Sequence, residues 1–491
     1  MKQNKISSKL MRRLSLNTLN NNPVALKRVL GPYGLIAFCV GNTIGAGLFS
    51  LTGIAAAQNA GPAVVLSFII SAIACSFVAL CYSELAGMMP ISGSTYTYTY
   101  VAIGEVMAWT IGWALILEYA VGASTVAVSW SRYVISLLAN WHISIDLRLS
   151  ASPFETVHLS DGTLTHGFFN LPAVLILVAV SVLLIFGASK SSLVNSVIVV
   201  IKLLIIASFV GFGLHYINYA NYRPFIPPNN GTFGHYGFSG VMRAAGVIFF
   251  AYVGFDSLST AAQETKDPER NMPIGFLGGL FITALAYVTF SFVLVGLVNY
   301  HDMIDDAAPV ATAINQTPYI WLQLAIKIGI IFGFTSVLIT LLFGQSRIFL
   351  TMARDGLLPH FFGVTHSHFQ TPWISNLFIM AMTALLAAFF PISDLGHMTS
   401  IGTLLAFILV CLIVMILRRK EPDHPRTFRV PGGDIIPILG ILSSATIMVC
   451  LDLVTWMRLI AWLVIGMAIY FLYGIRHSKL AHVHHEMFIN Q

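Results

Sequence analysis

Charge is what this sequence has least of. Only 9% of its 491 residues are Asp, Glu, Lys or Arg, against about 25% in an ordinary soluble domain. With 57% of residues hydrophobic, no water-soluble core is large enough to hide them. Cysteine is scarce and unpatterned. Cys39, Cys75, Cys81, Cys411 and Cys450 all fall in apolar runs with no metal-type pairing, so they read as small buried hydrophobes and say nothing about redox compartment. There is no phosphate-binding loop, nucleophile elbow or metalloprotease motif, which argues against an enzyme, a cofactor or a metal site. The His482-Val483-His484-His485-Glu486 tail matches no closed metal-site spacing and reads as solvated. The polar, basic stretch Met1–Leu30 has no short apolar core, so no cleavable signal is expected and the arm is read as cytosolic.

Long apolar runs take the place of all this. A bilayer core needs about 20 apolar residues per helix. Twelve runs qualify: Gly34–Gln58, Val64–Ala86, Val106–Ala127, Leu171–Ala188, Val194–Leu214, Phe238–Ala262, Ile274–Val298, Trp321–Leu350, Trp373–Phe390, Ile401–Leu417, Ile435–Leu453 and Trp456–Tyr473. The third and eighth are long enough to tilt. The expected fold is an all-α membrane protein of twelve transmembrane helices. In such a fold each span satisfies its own backbone within lipid.

The few charges test that count. Lys2, Lys5, Lys9, Arg12, Arg13, Lys27, Arg28, Lys190, Lys266, Arg270, Arg347, Arg354, Arg418, Arg419, Lys420, Arg426, Arg429, Arg476 and Lys479 fall on one side, and they are most of the 26 basic residues. The other side holds mainly Asp302, Asp305, Asp306 and Asp394, with Arg148 and Arg223. Positive loops stay cytoplasmic, so both termini are expected inside, in a cell (inner or plasma) membrane. The net charge of +6 then reflects topology and anionic lipid, not a nucleic-acid partner.

Two spans are interrupted by glycine. The first carries Gly41-Asn42-Thr43-Ile44-Gly45-Ala46-Gly47, and the sixth carries Phe249-Phe250-Ala251-Tyr252-Val253-Gly254-Phe255-Asp256. Each glycine weakens a helix by about 1 kcal/mol relative to Ala. Spans one and six are corresponding members of two five-helix halves, and paired interruptions of this kind point to a midplane substrate site. An unwound segment frees N–H groups that attract a carboxylate and carbonyls that accept from an ammonium. That combination suits the zwitterion of an amino acid. The competing reading is close helix packing through small residues.

Lys202 lies about eight residues into an apolar run, roughly 12 Å deep at about 1.5 Å per residue. An ionisable group at that depth marks function, either as a proton carrier or as a fixed charge replacing a bound sodium ion; the alternative is structural pairing with carbonyls. Glu118, also mid-span, is a candidate for the pocket, for a proton relay, for attracting a cationic side chain, or for a structural hydrogen bond. Asp256 either caps the resumed sixth helix or joins a gate. Phe250 is a candidate aromatic gate; Phe249 reads more simply as a lipid- or helix-facing aromatic. Ser336 and Thr340 share a helix face and either line a pocket or bond to the carbonyl one turn back. Glu84 reads as interfacial.

Several of these stretches together resemble the cationic amino acid transporter family of the amino acid–polyamine–organocation superfamily. They are Leu26-Lys27-Arg28 with Gly41 to Phe49, Glu84-Leu85 with Pro90-Ile91-Ser92-Gly93-Ser94 and Tyr96, Leu117-Glu118-Tyr119, Phe250 to Asp256 with Glu264, Pro268, Arg270 and Pro273, and Arg354-Asp355-Gly356-Leu357-Leu358-Pro359. The resemblance runs from about Leu26 to Tyr473. It implies a five-plus-five inverted repeat with broken helices 1 and 6 and two further C-terminal helices: an arm 1–30, repeats 31–215 and 216–420, helices 421–475 and a tail 476–491. It also implies that Thr43, Ile44, Gly45, Ala46 and Gly47 meet a substrate carboxylate. Phe250, Ala251 and Val253 would offer carbonyls to its amine, and Phe250 would gate the site. Lys202 matches the fifth-helix lysine of the bacterial, proton-coupled branch, where animal members have an uncharged polar residue. The expected activity is proton-coupled import of L-amino acids, cationic or small neutral. An exchanger of amino acids or amines is the alternative, and a transport-silent sensor a more distant one. The expected partners are the amino acid, protons and lipid; a small single-span accessory subunit is not legible.

Overall fold

The computed structural model describes residues 12–13, 28, 30–89, 94–143, 145–158, 164–187, 192–304, 306, 308–426 and 428–480. Most of the basic N-terminal arm, Lys190, Asp305, the Pro90-to-Gly93 part of the motif and the histidine-rich tail lie outside the described residues.

The described chain is mostly helical, and helix length follows apolar run length. The first run forms α1 (Pro32–Thr43) and then, after a break, a series of π and α turns over 47–60. There follow α2 (Val64–Met88), α3 (Ser94–Ala102), α4 (Glu105–Ala139), α5 (Leu171–Ile185), α6 (Ser192–Gly213) and α7 (Gly237–Ile248). The second half has α8 (Pro268–Leu297), the short α9 (Pro309–Asn315), α10 (Ile320–Arg354), α11 (Trp373–Phe389), α12 (Ile392–Lys420), α13 (Ile435–Val449) and α14 (Leu453–Ile469). Among the described residues eight stretches are long and apolar enough to cross a membrane, and α5, α11 and α13 are shorter apolar helices. The protein is a multi-pass membrane protein.

Two features depart from the reading of the sequence. A two-stranded antiparallel hairpin, β1 (Thr156–His158) with β2 (Leu164–His166), interrupts the otherwise helical chain. Helix α4 continues to Ala139, twelve residues past the end of its apolar run at Ala127. Its last turns carry Ser129, Ser131 and Arg132, which find protein partners: Ser129 bonds back to Thr125, Ser131 donates to Asn170, and Arg132 pairs with Glu155. Polarity ended the run; burial against neighbours let the helix continue.

Helix α8 packs on α1 and α2, α10 on α4 and α6, and α12 on α4, α2 and α13. The two interrupted stretches are therefore walled in by α4, α8, α10 and α12. Aromatic contacts fix the angles between these helices. Tyr82 of α2 lies 5.8 Å from the Phe276 ring of α8 and 6.0 Å from the Phe407 ring of α12. Trp113 of α4 stacks on Trp462 of α14 at 4.5 Å.

Candidate functional site

Helix α1 stops at Thr43, and Ile44 turns to extended backbone. Helical bonding resumes with the amides of Leu48 and Phe49, both donating to the Gly45 carbonyl. The amides of Ala46 and Gly47 precede that closure and have no partner within the resumed helix. In the other interrupted segment, α7 ends at Ile248 and tightens into a 3-10 turn Phe249–Tyr252. Val253 is extended, Gly254 takes φ +105°, and a second 3-10 stretch Asp256–Glu264 follows. Only glycine adopts that φ without strain, and a Cβ there would lie 2.8 Å from the Asn42 carbonyl oxygen.

The two breaks touch. A Cβ on Gly47 would overlap the backbone of Ala251, so the absence of a side chain lets the two chains meet. Asn42 Nδ2 donates to Ser257 Oγ at 2.8 Å, and Ser257 Oγ donates to the Gly254 carbonyl at 2.5 Å. Polar contacts thus run directly from one break to the other.

Side chains from neighbouring helices serve the carbonyls that unwinding bares. Lys202 of α6 is buried, and its Nζ donates to the Gly41 carbonyl at 2.7 Å and the Ile44 carbonyl at 2.9 Å. A cation at a helix C-terminus is favoured by the helix dipole as well as by the two bonds. Gly333 of α10 leaves space beside it: a Cβ there would lie 3.3 Å from Lys202 Cε. Tyr287 of α8, fully buried, has its hydroxyl 2.8 Å from the Thr43 carbonyl and 2.7 Å from the Ala251 carbonyl, so it reaches both breaks. Ser400 of α12 accepts from the Phe250 amide at 3.2 Å and lies 3.3 Å from the Val247 carbonyl.

Of the three carbonyls expected to be offered, that of Phe250 accepts from the Val253 amide at 3.0 Å and that of Ala251 meets Tyr287. Each carbonyl has a second lone pair. Phe250 is buried with its ring against Gly122 of α4, and Leu341 of α10 and Thr399 of α12 adjoin the same glycine. Val337 of α10 stands against Gly45. These apolar neighbours were not singled out from the sequence, because nothing in an apolar helix marks which side meets another helix's break. Tyr287 had a signal: a tyrosine deep in an apolar run needs a partner for its hydroxyl.

The remaining candidates divide. Glu118 is buried in α4 facing Gly402 of α12, and its Oε2 makes no hydrogen bond among the described residues. Asp256 is buried, and its Oδ1 accepts from the Gly254 amide at 3.2 Å; it satisfies its own break. Ser336 is buried, whereas the Thr340 hydroxyl bonds to the Ser336 carbonyl one turn back, at 3.1 Å. Phe249 packs at 5.6 Å from the Phe407 ring of α12. Glu84, near the end of α2, is buried within protein: it pairs with Arg418 at 2.5 Å and Arg426 at 3.6 Å, and it accepts from the Val430 amide at 2.8 Å. Among the described residues no group of three His, Cys, Asp or Glu is placed to hold a metal ion.

A family model described as amino acid permease matches residues 30–475. The branched-chain amino acid permease BcaP of Bacillus subtilis (strain 168) is 40% identical over 93% of this chain and 95% of its own length. The methylthioribose transporter of the same organism is 37% identical over 96% of this chain and 99% of its own. The human cationic amino acid transporter 4 is 35% identical over 82% of this chain and 61% of its own length.

Proposed function

Because this chain belongs to the amino acid permease family, a family of transporters and not enzymes, we propose that it imports L-amino acids with small or branched apolar side chains by proton symport. The carrying observation is the meeting of two interrupted segments with Lys202 seated on the carbonyls of Gly41 and Ile44.

In this reading the chain crosses a cell membrane twelve times, as a five-plus-five inverted repeat and two further helices, with both termini in the cytoplasm. The substrate carboxylate docks on the free amides of Ala46 and Gly47 beside Thr43, Ile44 and Gly45, the Ile44 amide itself being taken by the Val40 carbonyl at 3.1 Å. Its ammonium takes the spare lone pairs of the Phe250, Ala251 and Val253 carbonyls. Phe250 closes over it. Val337, Leu341 and Thr399, which adjoin Gly45 and Gly122, receive an apolar side chain better than a charged one. Identity to a branched-chain permease supports the same choice. Proton release from Lys202 removes the charge that holds the end of α1, so proton traffic there biases the rocking of the bundle.

A second reading has one observation in its favour, the identity to a methylthioribose transporter. Methylthioribose has neither carboxylate nor ammonium, so it would leave the bared peptide groups to hydroxyls. Reconstitution in liposomes separates the two. Leucine uptake is expected to rise with an inward proton gradient, with arginine and methylthioribose left behind, and Lys202→Met is expected to lose the gradient response. Uptake of methylthioribose without leucine would select the second reading. Dependence of leucine uptake on internal amino acid would make the protein an exchanger.

A further inference from the structure

The hairpin β1–β2 has two unlike faces. Thr156 pairs with His166, and the Gly167 amide, donating to the Glu155 carbonyl at 3.1 Å, carries the ladder one residue further. Side chains alternate across such a ladder. Glu155, Thr165 and Gly167 turn toward the protein. Glu155 pairs with Arg132 of α4 at 2.8 Å, and a Cβ on Gly167 would lie 2.3 Å from the Ala151 carbonyl oxygen. Thr156, Leu164 and His166 turn away, and the alternation puts Phe154 and Phe168 on the same side. Phe154 is 72% exposed, Leu164 64% and Phe168 60%. Of these five side chains only His166 can ionise.

The hairpin stands alongside the last two turns of α4. Its base is tied at Arg132, while α4 runs on to Ala139, about 10 Å further. Asn170, just beyond β2, accepts from Ser131 Oγ at 2.7 Å, and its amide donates to the Ala388 carbonyl at 3.2 Å. The Phe154 ring lies 6.4 Å from that of Phe390, at the end of α11. The apolar face therefore adjoins the start of α5 and the end of α11. Both helices are short. α5 has 15 residues and α11 has 17, about 22 and 26 Å at about 1.5 Å per residue, against a hydrocarbon core of about 30 Å. Both expose large apolar side chains, Leu175 and Leu183 on α5, Leu385 and Phe389 on α11. The hairpin continues that lipid-facing surface past the helix ends.

We propose that the hairpin is a lipid anchor: its Phe154, Leu164 and Phe168 face beds in the boundary between headgroups and acyl chains and makes up the length that α5 and α11 lack. Depth follows from the backbone. A two-stranded ribbon leaves an unpaired edge on each strand, and such groups cannot enter hydrocarbon. At the boundary, water serves the edges while lipid covers the apolar side chains, as it does for other amphipathic elements that lie in the membrane plane. The Arg132–Glu155 pair then ties the end of α4 to the membrane surface. None of this depends on which solute is carried.

The test places a nitroxide on Leu164→Cys or on Phe168→Cys in the full chain in liposomes. Collisions are measured with oxygen, which partitions into lipid, and with a water-soluble nickel chelate. Asn230→Cys, at an exposed loop position, is the water-facing control, and the unsubstituted chain, whose five cysteines are buried or half-buried, gives the labelling background. The ratio of oxygen to chelate collisions is expected to be about tenfold higher at both hairpin labels than at Asn230→Cys. A ratio equal to that of Asn230→Cys puts the face in water and overturns the anchor. Protection from both agents means that protein covers the face, a second copy or another chain, and overturns lipid as its occupant. Phe154→Ser combined with Phe168→Ser tests the length. Melted in liposomes of increasing acyl-chain length, the double variant is expected to be most stable in a thinner bilayer than the wild type. An optimum at the same thickness overturns the part given to the hairpin in making up length.

Discussion

At the centre of the bundle, Lys202 and Tyr287 serve carbonyls that unwinding has bared, and the two breaks share Asn42 and Ser257. At the end where Arg12 and Ser478 converge, carboxylates are the groups being served. Glu84 takes Arg418 and Arg426. Glu105, fully buried at the start of α4, accepts from Tyr100 at 3.2 Å, Tyr470 at 2.9 Å and Ser478 at 2.5 Å, while its amide donates to the Arg12 carbonyl at 2.9 Å. The difference lies in what can be exchanged. A carbonyl that gives up one donor for another loses little net energy, about 1 kcal/mol per neutral bond. A buried carboxylate stripped of its cation costs about 3–5 kcal/mol. On the proposed reading the centre can trade partners with a substrate, whereas the terminal end is built to hold.

The strongest way to break this contrast is at the contact between the two interruptions. Gly47→Val places branched carbons into the Ala251 backbone, and neither chain has room to retreat between α8 and α10. Leucine uptake is expected to fall more than 100-fold while the protein remains in the membrane fraction. Uptake within a factor of three of wild type would mean that the breaks need not touch.

Lys202→Met comes next. It removes two hydrogen bonds from buried carbonyls, each costing about 1–3 kcal/mol when left unmade. Uptake driven by an inward proton gradient is expected to drop at least tenfold, and leucine binding at equilibrium much less. If the gradient still accelerates the variant as it does the wild type, the proton is carried elsewhere, with Glu118 the first residue to examine. Tyr287→Phe is expected to act on the same carbonyls more mildly. Only the hydroxyl is lost, and Lys202 still holds its two neighbours, so a three- to tenfold rise in the leucine Kd is expected with the proton dependence intact. A loss as large as that of Lys202→Met would show that the tyrosine, and not the lysine, holds the breaks together.

The sequence carried one half of this comparison better than the other. Gly41 to Gly47 and Lys202 stand out because glycine and charge are conspicuous in apolar runs, and the structure interrupts α1 where the glycines fall and places Lys202 on that interruption. Tyr287, Ser400, Val337 and Leu341 were not identified, since they reach the breaks from α8, α10 and α12, and periodicity within one helix does not say which other helix it faces. The cation partners of Glu84 were hidden for the same reason. Its partner Arg418 lies 334 positions away, and an isolated carboxylate near a helix end has no sequence mark of burial. The hairpin Thr156–His166 went unread because its strands are three residues each, too short for an alternating pattern to register.

The smallest expected effect tests the holding end. Asp355, beyond the last turn of α10, accepts from the Tyr96 hydroxyl at 2.7 Å. Burial raises its pKa from 3.8 to about 6, against the lowering effect of Tyr96 and Lys479. The folded protein therefore binds this proton more tightly than the unfolded chain does. Its contribution to stability is fully present below pH 3.8 and is lost as pH rises through about 6. The loss is at most about 3 kcal/mol at about 1.4 kcal/mol per unit, and less where water reaches the group. Asp355→Asn keeps an acceptor for Tyr96 but cannot ionise. Its melting temperature should match the wild type near pH 4 and exceed it by a few degrees at pH 7. Parallel melting curves across that window would mean that the carboxylate is as well solvated folded as unfolded. This corner of the terminal end would then be open to water, and the contrast with the centre would rest on Glu84 and Glu105 alone.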